Sequence, residues 1–150
     1  WTPFIYTGVS IFHHNPKAEN KNGEWLELQP IGTEGQGTTT YPNRRKYSLI
    51  QFSIPMGGGI KIAINKSFNI ILEYGARKTF TDYLDDVSTT FVGGPFPNDM
   101  TQDGREMSDP LGTHSVNEQR GDDKKKDWYA FAGITLSFKL NNNTKGCHYD

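Results

Sequence analysis

Cysteine is nearly absent from this chain of 150 residues. Cys147 is the single one, so no disulfide can form within the chain and the redox compartment does not follow from cysteine usage. Long hydrophobic runs are missing too. No stretch of about eighteen apolar residues exists, which excludes a transmembrane helix but leaves open a membrane barrel, whose strands show only alternation. The net charge of −1 gives no overall attraction to nucleic acid or anionic lipid.

Apolar residues are fewer than in an ordinary globular domain. With glycine counted as apolar and tyrosine left out, their share is about 40%, against about 45–50% in typical domains. This shortfall is typical of a protein with long polar loops.

The motifs of common catalytic and cofactor sites are missing as well. Gly32–Gly37 contains three glycines, but it has neither the Gly-Lys-Ser/Thr ending of a phosphate loop nor the spacing of a dinucleotide turn. Asp99, Asp103 and Gly104 match positions one, five and six of an EF-hand loop, yet position twelve is Pro110 instead of a bidentate Glu, which favours a solvated acidic loop. The sequence therefore predicts no enzyme, cofactor, metal site, small-molecule substrate or nucleic-acid partner.

What the chain does contain is alternation, first of all in Phe68–Ser88, a long strand that runs without a break into a polar loop. One face of this stretch is apolar apart from Lys78, and the other carries charges of both signs. The run is longer than the usual strand of about five or six residues, and about nine to eleven residues of tilted strand cross a bilayer. It therefore predicts a membrane strand whose polar face points into a barrel. The apolar face holds Phe68, Ile70, Leu72, Tyr74, Ala76 and Phe80, and the other holds Asn69, Ile71, Glu73, Gly75, Arg77 and Thr79.

Three further stretches also alternate: Pro3–Phe12, Leu49–Ile64 and Asp127–Leu140. The first alternates less cleanly, and its aliphatic residues are assigned to the outside. In the second, Pro55 cannot donate to a ladder and the glycines at 57–59 tolerate bulges, so a bend is expected there. A tight hairpin at 65–67 joins the second stretch to Phe68.

The lengths of the connections predict a topology. Residues 15–47 and 82–127 form long polar loops, the first with a short strand expected at Glu24–Leu28, whereas the hairpin is short. Bacterial outer-membrane barrels have short periplasmic turns and long extracellular loops. We therefore expect an all-β, antiparallel transmembrane β-barrel over residues 1–140 in contact with outer-membrane lipid, and a periplasmic tail at 141–150.

Four strands are too few for a closed barrel. The smallest single-chain examples have eight, and an open edge in lipid leaves backbone groups unsatisfied at a cost of several kcal/mol each. We expect eight strands in the intact protein, with the last four in this chain and the others preceding Trp1. A cleaved signal peptide would direct export to the bacterial outer membrane.

Four charged residues are expected to meet inside that barrel. Lys61, Glu73, Arg77 and Lys139 share one side of their strands, and an eight-stranded barrel is just wide enough for its side chains. Buried charges need partners. The pattern therefore favours a structural network of salt bridges over a transport pore.

The segment Arg77–Ser88, with the preceding Glu73-Tyr74-Gly75, is the most specific part of the sequence. With Asn15–Ala18, Leu28–Gly37 and Tyr47–Gln51 it resembles the PorG family, small outer-membrane barrels of the type IX secretion apparatus of Bacteroidota. The resemblance covers nearly the whole chain and corresponds to the C-terminal half of a family member. The family-like motif comprises Arg77, Lys78, Thr79, Phe80, Thr81, Asp82, Tyr83, Leu84, Asp85 and Asp86.

The resemblance implies a structural, non-catalytic role. The family is associated with periplasmic lipoprotein and ring-forming subunits of the secretion machine, which this chain would anchor to the outer membrane. Its expected periplasmic surfaces are the hairpin and the tail, so the predicted partner-binding residues are Asn65, Lys66, Ser67, Lys145 and Cys147. An alternative is a small passive channel or a surface adhesin that works through the long loops; an enzyme ranks last.

Overall fold

The computed structural model describes residues 1–140, most of whose regular structure is antiparallel β-sheet. One sheet has the order β1-β5-β6-β7, with β2 also paired to β5, and a small second sheet pairs β3 with β4. Within residues 1–140 the larger sheet is open rather than closed on itself. The elements are β1 Thr2–Thr7, β2 Ser10–His13, β3 Lys17–Glu19, β4 Trp25–Glu27, α1 Leu28–Ile31, β5 Ile50–Ala63, β6 Phe68–Thr79, α2 Gln102–Ser108 and β7 Trp128–Phe138.

The four long alternating stretches are confirmed as strands, with one interruption. The first stretch splits into β1 and β2 at residues 8–9. The short strand expected at Glu24–Leu28 is present as β4, which pairs with β3. Neither α1 nor α2 was predicted from the sequence. Both helices are too short, at four and seven residues, to show a clear helical period.

The chain forms two compact units. The strand unit contains Trp1–Ser10, Ile54–Lys78 and the chain from Trp128 onward. The loop unit contains Ile11–Ser53 and Thr79–Asp127, which include both long polar connections. None of the helices within residues 1–140 is long and apolar enough to cross a membrane.

In the strand unit the two faces of the sheet differ sharply. Ile5 is 92% exposed and Ile134 is 72% exposed. We call this side the apolar face. Residues two apart on a strand share a face, and paired residues point the same way. The strand register therefore shows which other side chains lie on the apolar face. Its exposed members are Ile5, Met56, Ile60, Leu72, Tyr74, Trp128, Ile134, Leu136 and Phe138.

The opposite side, the polar face, carries aromatic rings over glycines together with the charged residues. A Cβ on Gly59 would lie 2.7 Å from the Phe4 ring, and a Cβ on Gly57 would lie 2.6 Å from the Tyr6 hydroxyl. The hydroxyl of Tyr6 also lies against Gly75. The glycines therefore make room for these rings. The pairing of β5 with β1 runs one to one from Met56 to Lys61, so this ladder has no bulge at the glycines.

The tight hairpin between β5 and β6 is confirmed. The Ile64 N–H donates to the Phe68 carbonyl at 3.0 Å, which closes the two strands. The Asn65 side-chain oxygen accepts the N–H groups of Ser67 and Phe68, both at 2.9 Å. An asparagine that bonds to the backbone two residues ahead is a common turn former.

In the loop unit, local capping explains where the two helices begin and end. Gly32 ends α1 with a φ of 67°, a left-handed conformation that glycine adopts without strain, and its N–H donates to the Leu28 carbonyl. The Thr101 side chain caps the start of α2 by accepting the Gly104 N–H at 3.1 Å. A Cβ on Gly104 would lie 2.5 Å from the Ile31 carbonyl, so the small residue permits close contact with α1.

Candidate functional site

A buried carboxylate, Glu34, lies at the centre of the loop unit. It follows α1 in the glycine-rich segment, and its side chain is 0% exposed. It accepts the Ser88 N–H at 2.9 Å, the Thr89 N–H at 3.0 and 3.1 Å and the Thr89 hydroxyl at 2.7 Å. The Tyr83 hydroxyl donates to it at 3.3 Å. These bonds join the first long loop to the second.

Arg120 supplies the positive charge for this carboxylate. Its guanidinium lies 3.4 Å from the Glu34 Oε1, and its side chain is only 12% exposed. The same nitrogen lies 2.9 Å from the Thr33 hydroxyl and 3.4 Å from the Asp86 carbonyl. A buried carboxylate is costly unless it is paired and hydrogen-bonded, and both conditions are met here.

Asp86 is a second buried carboxylate in the same cluster. Its two oxygens accept hydroxyl hydrogen bonds, one from Thr33 and one from Tyr47, the latter at 2.7 Å. Burial raises the pKa of Asp86 and so does the Glu34 charge, while the two hydroxyls and Arg120 act in the opposite direction. Burial is the largest cause. The two carboxylates therefore share one nearby cation.

An aromatic stack adjoins the two carboxylates. The rings of Tyr47 and Tyr83 lie 4.7 Å apart, and the His14 ring lies 5.8 Å from Tyr47. Burial, followed by the hydrogen bond to Asp86, raises the pKa of Tyr47, so this phenol stays protonated and donates. The His14 ring nitrogens lie 3.1 Å from the Leu49 carbonyl and 3.2 Å from the Tyr83 carbonyl. His14 therefore ties the ends of β2 and β5 to the start of the second loop.

Two further charged side chains, Arg44 and Asp82, belong to this polar cluster. Arg44 donates to the Glu34 carbonyl at 2.8 Å and to the Thr90 hydroxyl at 2.7 Å. Asp82 is buried and accepts the Ser88 hydroxyl at 2.5 Å. Burial raises the pKa of Asp82, and its bond to Ser88 opposes that effect. The polar cluster is defined by its charged members and hydroxyl donors: Thr33, Glu34, Arg44, Tyr47, Asp82, Tyr83, Asp86, Ser88, Thr89 and Arg120.

The family-like motif divides between the two units. Arg77 and Lys78 end the strand-unit part of β6, while the remainder turns into the loop unit. Thr79 is buried, and its hydroxyl lies 3.1 Å from the Thr81 carbonyl and 2.8 Å from the Asp127 carbonyl. Phe80 and Asp85 are exposed, and Leu84 is half-buried. Three polar residues of the motif, Asp82, Tyr83 and Asp86, are members of the polar cluster and bond to partners within the loop unit.

The predicted partner-binding residues Asn65, Lys66 and Ser67 lie in the hairpin between β5 and β6. Asn65 and Lys66 are exposed and Ser67 is half-buried. Lys145 and Cys147, in the tail, lie outside the described residues.

The predicted charge network is not assembled within residues 1–140. Lys61, Glu73 and Arg77 lie on the polar face, two or four residues from the glycines that contact Tyr6. Lys139 is the fourth residue of the predicted network. In the part of the chain described, no ion pair joins any two of the four. Arg77 donates to the Tyr129 hydroxyl at 3.3 Å instead. The network stays a prediction for the intact protein.

The acidic residues compared with a calcium loop make local bonds. Asp99 accepts the Thr39 N–H at 2.7 Å, which lowers the pKa of Asp99. Asp109 accepts the His114 N–H at 2.8 Å and lies 3.1 Å from its ring nitrogen, and the first of these bonds lowers the pKa of Asp109 most. Within residues 1–140, no group of three or more metal-ligating side chains is close enough to hold a metal ion.

Sequence reasoning missed the central ion pair of the polar cluster. Arg120 opens a mixed charge run, RGDDKKK, whose composition is typical of a solvated loop, and Glu34 is a single acid in a glycine-rich loop. Gly35 adopts a φ of 78°, and a Cβ there would lie 2.6 Å from the Tyr41 ring. The density of glycines around Glu34 was the available signal of close packing. The bonds of the cluster hold the two long loops together.

Each unit has a surface cavity within residues 1–140. One, of about 570 Å³, lies in the strand unit and is lined by Gly58, Gly59, Ile60, Leu72, Glu73, Tyr74, Ala132, Gly133 and Ile134. The other, of about 300 Å³, lies in the loop unit and is lined by Ser88, Thr89, Thr90, Gln119, Gly121, Asp122, Asp123 and Lys124. Comparison with known proteins adds no identification, since no family model, curated protein or solved structure matches this chain.

Proposed function

We propose that this chain forms membrane-spanning strands of an outer-membrane β-barrel with a structural, anchoring role in type IX protein secretion. The observation that carries the proposal is the apolar face, on which nine large hydrophobic or aromatic side chains of the strand unit are exposed. A soluble protein rarely exposes so large a contiguous apolar patch without a partner. Hydrocarbon is the partner that suits a face this regular.

The lengths of the strands support the same proposal. β5, β6 and β7 have 14, 12 and 11 residues, and a tilted strand needs about nine to eleven to cross the hydrocarbon core. Their polar face carries charges and aromatic rings, as the interior of a narrow barrel does. The edges of β1 and β7 that are unpaired within residues 1–140 would each pair with a further strand, because lipid cannot satisfy backbone groups.

The anchoring role rests on the resemblance to PorG and on the contrast between the two kinds of connection. The hairpin at 65–67 is short and polar, whereas the long loops fold into a unit with its own polar cluster. In the proposed orientation the long connections at 15–47 and 82–127 are extracellular loops and the hairpin is a periplasmic turn. The hairpin is then a surface that periplasmic lipoprotein and ring subunits can reach.

Membrane insertion is tested with the intact protein. We expect it in the outer-membrane fraction, resistant to carbonate extraction, and migrating differently on SDS gels before and after boiling. The Ile134→Asp variant puts a charge on the apolar face and should fail to insert. Thr135→Asp is the matched control on the opposite side of the same strand and should insert. Recovery of the wild type in the soluble fraction would refute the proposal.

The anchoring role needs a separate test. A cysteine placed by Lys66→Cys, in a Cys147→Ser background, should crosslink to a periplasmic lipoprotein or ring subunit in cells. Thr113→Cys, in the second long loop, is the control and should not give that product. Crosslinks from the loop cysteine alone would favour an adhesin, and ion conductance by the purified protein in planar bilayers would favour a channel.

A further inference from the structure

Arg77 is a cation on the polar face with no carboxylate partner among residues 1–140. Its guanidinium lies 5.1 Å from the centre of the Phe131 ring and 5.4 Å from that of the Tyr129 ring. Its one hydrogen bond to a side chain in the described residues goes to the Tyr129 hydroxyl, at 3.3 Å. A guanidinium has five N–H donors arranged to fit a carboxylate. The rings orient the group while leaving most of its donors unused.

The acid on the same face cannot serve as this partner. Glu73 lies four residues before Arg77 on β6, which at about 3.4 Å per residue separates the two backbones by roughly 13 Å along the strand. Glu73 pairs with Gly133 across the strands, and Arg77 pairs with Tyr129, so they lie at different levels of the sheet. Lys61 adds a second cation to this face. The polar face therefore carries more positive than negative charge.

We propose that Arg77 binds a carboxylate side chain carried by one of the strands that complete the barrel. This inference rests on the proposed function, because it places the polar face inside a closed barrel. An eight-stranded barrel has an interior just wide enough for side chains, so those of the facing wall come within reach of Arg77. In that enclosed space an unpaired guanidinium would be costly, and a bidentate carboxylate would use the donors that the rings leave unused.

The occupant can be identified by zero-length crosslinking of the intact protein in detergent. Arg77→Lys keeps the charge and provides a primary amine. A carbodiimide activates a nearby carboxyl group, the lysine nitrogen displaces the resulting urea, and an amide forms with net loss of one water. Mass spectrometry should then find residue 77 joined to an Asp or Glu of another strand. The native Lys78, which stacks 5.6 Å over Trp128, should not join to that acid.

A second measurement separates a carboxylate from a free anion. Arg77→Met should lower the melting temperature of the barrel, and the loss should shrink as the pH falls below about 4, where carboxylates become protonated. Lys78→Met is the matched control and should show no such pH dependence. Stabilisation of the wild type by phosphate or chloride without any crosslink would indicate a bound ion and overturn the proposal. So would a crosslink to Glu73 alone.

The proposed function and this inference fail in different ways. If the wild-type protein does not insert into membranes or shift on heating, the barrel itself is wrong. If it does insert, but Arg77→Lys gives no crosslink to another strand and Arg77→Met melts as Lys78→Met does at every pH, the barrel stands and the ion pair is refuted.

Discussion

Replacing Glu34 by alanine should open the loop unit while leaving the long strands paired. The substitution removes the acceptor for the Ser88 and Thr89 N–H groups and for the Thr89 hydroxyl. Among residues 1–140, the buried Arg120 is then left with Asp86 as its neighbouring carboxylate. The oxygens of Asp86 are already bonded to hydroxyls. The bonds that the substitution removes therefore join the two long loops.

The size of the effect follows from the burial of the pair. Breaking a buried ion pair by removing one partner costs about 3–5 kcal/mol, because the remaining charge stays desolvated. Hydrogen bonds to charged groups contribute about 1.5–3 kcal/mol each, but those of Glu34 belong to one network and do not add to the pair term. Since about 1.4 kcal/mol corresponds to tenfold, opening should become roughly a hundred to a few thousand times more frequent.

Hydrogen exchange of individual amides measures this opening. Phe91 and Arg120 are suitable reporters, because their N–H groups donate to the carbonyls of Glu118 and Thr89 and not to the removed side chain. Their exchange should accelerate in Glu34→Ala, while the amides of β6 that pair with β7 should keep their rates.

The matched control for this experiment is Glu27→Ala. Glu27 belongs to the same unit and forms an ion pair with Lys17, but both side chains are about half exposed. Exposed pairs contribute little to stability. The Phe91 amide should therefore exchange at its wild-type rate in this variant. Equal rates at Phe91 in the two variants would refute the idea that the polar cluster stabilises the loop unit.

Four further substitutions test the packing of the strand unit and the protonation of Asp86. Tyr6→Phe removes a buried hydroxyl that has no partner among residues 1–140, so it should stabilise the protein by about 1–2 kcal/mol, and a lower melting temperature would contradict this. Gly59→Ala should destabilise by about 1–3 kcal/mol because its Cβ would lie 2.3 Å from a backbone carbonyl, whereas Gly133→Ala, with nothing nearer than 3.7 Å, should melt near the wild-type temperature. Because the pKa of Asp86 is raised, its stabilising contribution is present below the ordinary carboxyl pKa of about 3.9 and is lost as the pH rises through the raised value. The amides of the loop unit in Asp86→Asn should therefore become better protected from exchange, relative to the wild type, as the pH rises above about 4. A difference between the two proteins that stays constant with pH would exclude this assignment.

The strands and their two faces could be predicted from the sequence because their signal is local. Alternation with a period of two is set by the pleat of each strand. β5, β6 and β7 could therefore be predicted without knowing which strands they pair with. The hairpin was equally local, since Asn65 bonds to the backbone of the residues that follow it. The alternation in β1 was weaker, and there the strand broke at residues 8–9.

The polar cluster could not be predicted in the same way. The mixed charge run that begins at Arg120 has the composition of a solvated loop, and only the fold of the chain buries its first residue against Glu34, 86 positions earlier. The short helices were missed for a related reason. Their ends depend on single capping residues, Gly32 and Thr101, rather than on a repeated pattern.

The sequence by itself determined which residues of the long strands alternate and which connection is tight. The tertiary structure decided which loop charges are buried and what they bind. The physical reason is range: alternation is imposed by neighbouring residues, whereas the desolvation of Glu34 and Asp86 arises only when two distant loops pack together. Tyr83 and Asp86 of the family-like motif bond across that contact, to Glu34 and Thr33.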